Sequence, residues 1–276
     1  VKIFKSKAAL KNWREHIPSI TKIGIVPTMG NLHLGHISLI KKSVEDNQIT
    51  VITIFVNPKQ FGPNEDFKNY PRTLEADLNL IKTEVLTQKE IIVFCPESIE
   101  EMYVPGFDTQ VTVGKLTAPL CGPSRPIHFN GVTTVVFKIF QLTRPHRAYF
   151  GLKDYQQFKV IEKMTIDLDL DIELIGMPII REESGLAMSS RNAYLSSDEK
   201  NQALILTKNI NELKNAYPQS ENLRKQILQD TRYEYLEILD GDTLEIITEK
   251  SKKVVIAGAL KIGKTRLIDN MVFNLC

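Results

Sequence analysis

Cysteine is scarce in this chain. Its 276 residues include three, Cys95, Cys121 and Cys276, far apart and odd in number. Such spacing supports neither a zinc cluster nor a disulfide framework, and a reducing, cytoplasmic setting is expected. Excess charge of either sign is missing too. Lys and Arg number 35 against 33 Asp and Glu, a net charge of +2. A nucleic-acid partner normally leaves a basic stripe, so none is expected. Long apolar runs are also lacking. Ile49 to Val56 is among the longest, far short of the roughly 20 residues a membrane helix needs. The opening Val1-Lys2-Ile3-Phe4-Lys5 alternates charged and apolar residues and has no signal-peptide core. Repeats, low-complexity tracts and long linkers are absent as well.

What is present is an ordinary globular composition, 42% apolar and 25% charged. Strand and helix patterns alternate through the first part. Ile23–Val26 reads as a buried strand, followed by the turn Pro27-Thr28-Met29-Gly30 and a helix from Leu34 to Asp46, with Ile37, Ile40 and Val44 at helical spacing. Ile49–Val56 is a β-branched run of the kind buried on both faces of a parallel sheet, closed by Asn57-Pro58. Thr73 should start a helix running to Leu86, and Ile91–Phe94 the next strand. A helix follows over Gly131–Leu142, then a strand at Ala148–Phe150. Asp154 with Gln157 has the form of a capping box opening a helix to Ile166. Repeated βα units imply an α/β fold with a doubly wound parallel sheet, whose ligands bind at the carboxyl ends of the strands.

The pattern changes after Pro178. Ser196 with Glu199 forms a second capping box, opening a helix to Tyr217, and a shorter helix covers Glu221–Gln229. Strands are expected at Tyr233–Leu239, Thr243–Thr248 and Val254–Ala257, with Asp240-Gly241 as a hairpin turn between the first two. The domains are therefore 1–177 and a smaller C-terminal α+β domain, 178–276.

Two segments carry chemistry. Between the first strand and its helix lies Pro27-Thr28-Met29-Gly30-Asn31-Leu32-His33-Leu34-Gly35-His36. Both imidazoles fall on one side of the first helical turn, where exposed backbone N–H groups and the helix dipole favour phosphate. Metal binding by the pair is disfavoured, because no third ligand accompanies it. The second segment is Met188-Ser189-Ser190-Arg191-Asn192, after Arg181-Glu182-Glu183-Ser184-Gly185. Hydroxyls beside an arginine fork suit a loop that wraps a polyphosphate.

Together these segments resemble the two signatures of the adenylate-forming nucleotidylyltransferase superfamily. Val56-Asn57-Pro58-Lys59-Gln60-Phe61-Gly62, Tyr70-Pro71-Arg72-Thr73, Arg125 to Val132 and Phe150 to Gln157 narrow the resemblance to the pantothenate synthetase family. It covers residues 20 to 200 closely, and Thr265 to Asn270 also fits. The resemblance implies a Rossmann-like sheet and an ATP-dependent ligase. The enzyme would join pantoate to β-alanine through a pantoyl-adenylate, with ATP as co-substrate, Mg²⁺ and a homodimer. By the same resemblance Met29, Gly30, Asn31, Leu32, His33, Leu34, Gly35 and His36 line the ATP site. His36 is the proton donor and His33 a second phosphate contact. Gly151, Leu152, Lys153 and Asp154 hold the nucleotide, Lys153 at phosphate and Asp154 at ribose, while Ile180, Met188, Ser189, Ser190 and Arg191 close over it. Gln60, Gln157 and Met29 contact pantoate, and Asp77 is the Mg²⁺ ligand. Arg125 and His128 match the family without an assigned ligand.

Three positions depart from the family pattern. Lys59 stands where an apolar residue is usual, Cys121 where Glu is usual, and Ile127 where Gly is usual. The resemblance also competes with a false lead. Gly258-Ala259-Leu260-Lys261-Ile262-Gly263-Lys264-Thr265 matches a phosphate-binding P-loop letter for letter. A P-loop must open a helix, whereas Arg266 to Asn270 reads as strand, so a glycine-containing β connection is expected. Other superfamily members and a non-catalytic nucleotide-binding regulator are the competing functional readings.

Overall fold

A computed structural model describes residues 1–63 and 65–275, and Cys276 lies outside the described residues. The chain forms two compact units. The first comprises Val1–Val113, Ile127–Leu152 and Val160–Pro178; the second comprises Gly114–Pro126, Lys153–Lys159 and Ile179–Cys276. This division differs from a single cut after residue 177, because segments 114–126 and 153–159 pack with the C-terminal residues.

In the first unit the elements run β1 (Lys2–Phe4), α1 (Lys7–Glu15), β2 (Ile23–Thr28), α2 (Leu34–Asp46), β3 (Ile49–Ile54), α3 (Leu74–Glu84), β4 (Glu90–Phe94), α4 (Ile99–Met102), α5 (His128–Thr143) and β5 (Arg147–Gly151). Helix α6 (Tyr155–Asp167), whose first turn belongs to the second unit, leads to β6 (Glu173–Met177). The sheet has the order β1-β4-β3-β2-β5-β6, and its pairings are parallel. Every residue of β3 is buried, as its β-branched run requires of a strand covered on both faces. The two short edge strands, β1 and β6, are the ones the sequence pattern does not announce. β1 has only three residues and β6 five, too short for an alternating pattern to stand out from its surroundings.

The strand order reverses between β2 and β5, which lie side by side with Ile25 opposite Ala148. Successive strands from β2 step toward one edge, and β6 extends the other. Loops leaving the carboxyl ends at such a reversal splay apart, opening a crevice for ligand. The histidine segment leaves β2 there, and Gly151-Leu152 leave β5.

The second unit holds α7 (Ser197–Ala216), α8 (Glu221–Ile227), β7 (Tyr233–Asp240), β8 (Lys253–Ile262) and β9 (Thr265–Asn274), with an antiparallel sheet in the order β7-β8-β9. Ser196 and Glu199 make the expected reciprocal cap on α7. Leu206, Ile210 and Leu213 of α7 pack on Leu236, Ile256 and Leu260 of the sheet. The expected strand at Thr243–Thr248 is absent. The Asp240 carboxylate instead accepts the backbone N–H groups of Asp242 and Thr243, each at 2.8 Å, and Leu244 takes a left-handed φ of 57°. An Asx turn thus diverts the chain into a loop, and β7 pairs with β8. The P-loop look-alike is a β-hairpin: Ile262 pairs with Thr265 across the turn Gly263-Lys264.

No helix among the described residues is long and apolar enough to cross a membrane.

Candidate active site

In the first unit the site is built on the turn between β2 and α2. Gly30 has φ 83° and Asn31 φ 49°, left-handed values that glycine adopts freely and asparagine tolerates. A Cβ on Gly30 would lie 3.1 Å from Asp77 Oδ2 and 3.0 Å from Ile54 Cγ2, a tight fit added to the left-handed φ. Leu32 anchors the turn in the core beside Ile37, Ile40 and Tyr149. Leu34 is the first helical residue and is exposed.

His33 and His36 cap α2 reciprocally. His33 Nδ1 accepts the N–H of Gly35 at 3.1 Å, and His36 Nδ1 accepts the N–H of His33 at 3.3 Å. Their rings stand 4.1 Å apart between centroids. A backbone N–H can only donate, so each Nδ1 is the unprotonated nitrogen and each neutral ring carries its proton on Nε2. The peptide chain therefore selects the tautomer, and two N–H donors result at a helix N-terminus, where negative charge is favoured.

Gln60 sits in the 3₁₀ turn Pro58–Gln60 and is buried. Asn57, also buried, donates through Nδ2 to Gln60 Oε1 at 3.0 Å and to the carbonyl of Gly131, and it accepts from Tyr103 OH at 2.7 Å. With Oε1 so engaged, Gln60 turns Nε2 toward Met29, 3.1 Å from the sulfur. His128 Nδ1 lies 2.9 Å from the Gln60 carbonyl, so this histidine braces the turn. Helix α5 presses against the same turn: a Cβ on Gly131 would fall 2.2 Å from the Lys59 carbonyl oxygen. The Lys59 ammonium rests over the rings of Tyr103 and Phe107, about 5 Å from each centroid. Ile127 adopts φ −98° and ψ −11°, ordinary values that carry no strain where a glycine is usual.

A cavity of about 270 Å³ opens at the carboxyl ends of β2, β3 and β4, with Met29, Gly30, Phe55, Arg72 and Glu97 among its lining. Asp77 is not in that lining. Its side chain is turned inward and the residue is 3% exposed. Oδ2 accepts the N–H of Asn31 at 3.0 Å; Oδ1 accepts the N–H of Leu32 at 2.8 Å and the Thr73 hydroxyl at 3.2 Å. Burial raises its pKa, partly offset by these bonds. A hydrated Mg²⁺ ligand must reach solvent and substrate phosphates. A carboxylate this enclosed and this fully hydrogen-bonded does not fit that part. Among the described residues no group of three or more His, Cys, Asp or Glu is placed to hold a metal.

In the second unit, Lys153 and Asp154 stand at the start of α6, their charges 3.3 Å apart. The Lys153 carbonyl accepts from Asn270 Nδ2 at 2.8 Å, which ties the segment to β9. Of the paired glutamines, Gln156 is buried and structural: it receives the Cys121 N–H and thiol and donates to the carbonyls of Leu116 and Pro119. Gln157 is partly exposed. The Cys121 thiol is pushed up to about 11 by burial, so the departure from Glu leaves a neutral donor there. Arg125 belongs to this unit as well, whereas His128 belongs to the first.

Ile180 and Met188 face each other across a narrow hairpin, Met188 N–H donating to the Ile180 carbonyl, with Arg181 bridged to Ala187. Asn192, buried, donates to Glu182 and to the Ala187 carbonyl. Ser189 caps the 3₁₀ turn Ser190–Tyr194 by accepting the Arg191 N–H. Arg181 forks onto Asp269 of β9. Ser189, Ser190 and Arg191 thus ride on a braced hairpin rather than a loose loop. The structural work of Asn57, Asp269 and Asn270 is not announced by their place in the sequence. An Asn directly before Pro is a cap signal and could have exposed the first; the other two act only through tertiary contacts.

A match to the family described as Pantoate-beta-alanine ligase spans residues 2–272. The pantothenate synthetase of Acetivibrio thermocellus is 50% identical over 92% of this chain and 92% of its own. That of Thermotoga petrophila is 45% identical over 99% of this chain and 100% of its own. The crystal structure of pantothenate synthetase from Thermus thermophilus superposes with a TM-score of 0.87 at 38% identity, covering 98% of this chain and 99% of that one. The Francisella tularensis ligase, complexed with β,γ ATP and β-alanine, superposes with a TM-score of 0.79 at 32% identity, over 98% and 97%. With likeness extending along nearly its whole length, this chain belongs to the pantoate–β-alanine ligase family.

Proposed function

We propose that the protein makes pantothenate from pantoate, β-alanine and ATP. Pantoate's carboxylate attacks the α-phosphorus and pyrophosphate leaves, giving pantoyl-adenylate. The β-alanine amine then attacks the acyl carbon, AMP leaves and the nitrogen gives up its proton. The observation that carries this reading is the pair of backbone-set Nε2–H donors, His33 and His36, at a helix N-terminus in a chain of this family. His36 acts as proton and hydrogen-bond donor to the phosphates and His33 as a second contact. Met29 to His36 and Gly151 to Asp154 bind ATP, with Lys153 at phosphate and Asp154 at ribose. Ile180, Met188, Ser189, Ser190 and Arg191 complete the nucleotide contacts. Gln60, Gln157 and Met29 hold pantoate, and the Asn57 bond to Gln60 Oε1 supports this by presenting the amide as a donor suited to a carboxylate or hydroxyl oxygen.

Catalysis then rests on positioning and on charge stabilisation at the phosphates, and no enzyme nucleophile is required. Mg²⁺ belongs to the reading as a companion of the nucleotide phosphates, and no step is assigned to it. A homodimer and a cytoplasmic location belong to it as well. The test is AMP release from Mg-ATP: AMP should accumulate only when pantoate and β-alanine are both supplied, and ATP–pyrophosphate exchange should need pantoate alone. Exchange that proceeds without pantoate would overturn the assignment.

A further inference from the structure

We propose that Asp77 is a positioning residue that holds the β2–α2 turn in its phosphate-binding shape through the backbone, and that it is not a metal ligand. This rests on the reading that the turn binds nucleotide. Two consecutive left-handed residues, Gly30 and Asn31, leave the N–H groups of Asn31 and Leu32 directed to one side. Consecutive N–H groups of this kind form a small anion-binding concavity. The anion in it is the Asp77 carboxylate, with one oxygen on each N–H at 3.0 and 2.8 Å. Thr73, one turn earlier on the same helix, fixes the carboxylate by donating its hydroxyl to Oδ1 at 3.2 Å. The side chain of an element more than 40 residues downstream thereby offsets the strain of a left-handed asparagine and sets where His33 and His36 begin their helix. Gly30 faces the cavity while Asp77 lies behind it, so the carboxylate reaches the ligand only through the peptide chain.

Asp77→Asn separates the two roles, because its amide NH₂ cannot accept from a backbone N–H and at most one of the two bonds survives. Hydrogen exchange should accelerate about tenfold or more at whichever of Asn31 and Leu32 is left facing the amide NH₂. Affinity for ATP in excess EDTA should fall by a similar factor, since the defect lies in the turn and needs no metal. The Mg²⁺ concentration giving half-maximal activity should stay within about twofold, and KM should rise for ATP but not for pantoate, which a general loss of structure would not produce. Unchanged exchange would overturn the clamp. Lost protection with unchanged ATP affinity would overturn the positioning role. Intact metal-free affinity with a roughly tenfold or greater rise in Mg²⁺ requirement would restore the metal-ligand role. If wild-type protein fails to bind ATP while Asp77→Asn still loses protection, the nucleotide reading falls and the clamp stands. Should Asp77→Asn not fold, Thr73→Val, which removes only the hydroxyl donor, is read by the same exchange and EDTA measurements; no acceleration there would overturn the proposal.

Discussion

Arg181 and Asp269, 88 positions apart, meet in a two-pronged ion pair, with Nη1 to Oδ2 at 2.7 Å and Nη2 to Oδ1 at 3.0 Å. The Asp269 side chain is 2% exposed, and it also receives the Thr207 hydroxyl and the Asn270 N–H. The pair fastens the hairpin bearing Ser189, Ser190 and Arg191 to β9. Removing one partner of a buried pair strands the other charge and typically costs about 3–5 kcal/mol. Because the Arg181 side chain keeps 29% exposure, water screens part of the charge left behind, and Asp269→Asn should cost less than a fully buried pair, about 1–3 kcal/mol in urea unfolding. Arg181→Lys, which keeps the charge but loses the fork, should cost less and still raise KM for ATP.

Glu234 and Arg266 give stability an acid limit. Burial alone would push the Glu234 carboxyl up, but hydrogen bonds from Arg266 and Ser124 outweigh it and hold the pKa below its ordinary 4.5. A carboxylate depressed in the folded state adds stability above its unfolded pKa and loses it as pH falls through the folded value. Wild-type unfolding free energy should thus decline as pH drops below about 4.5. Glu234→Gln should be less stable at pH 7 by about 1–3 kcal/mol and show a shallower acid-side slope. Parallel slopes for the two proteins would refute this.

Gly131 is the tightest joint around Gln60. A methyl group at this position must displace the Lys59 carbonyl, an overpacking change that usually costs about 1–3 kcal/mol. Gly131→Ala should fold with reduced stability and shift the Pro58–Gln60 turn. A rise in KM for pantoate, with KM for ATP little changed, is the expected kinetic signature.

The fold was legible wherever one residue pattern served one purpose. The uninterrupted apolar run of β3 and the Ser196–Glu199 cap both announce themselves. Asp240-Gly241 misled because a carboxylate that can close a hairpin can also capture the next two amides, and only the tertiary setting decides. Among the candidate segments, the histidine and Ser-Ser-Arg stretches were visible as letters. The atoms that orient them were not: nothing in the letters around Asp77 shows that α3 packs it beneath the turn. Gln156 and Gln157 are indistinguishable in sequence, and their fates diverge because successive helical residues point about 100° apart.

Truncating the side chains proposed to contact the phosphates should leave the fold intact. His36→Ala, Lys153→Ala and Arg191→Ala should each cut pantoate-dependent ATP–pyrophosphate exchange by at least roughly 10²–10³-fold, as loss of a transition-state donor does. Near-normal exchange in all three would sink the adenylate mechanism.

Lys264, the lysine of the P-loop look-alike, is exposed in the β8–β9 turn. Lys264→Ala should leave KM for ATP within about twofold of wild type, since no positional energy is lost. A large rise would mean that the hairpin handles nucleotide after all.

The hairpin makes a broader point about anion recognition. Strand β8 is the middle strand of its sheet, so its amides are claimed alternately by the neighbours on either side. A glycine-rich string can cradle phosphate only where its N–H groups are left uncommitted by the fold. Sheet pairing, which no string of letters encodes, keeps this stretch from being the phosphate loop that it spells.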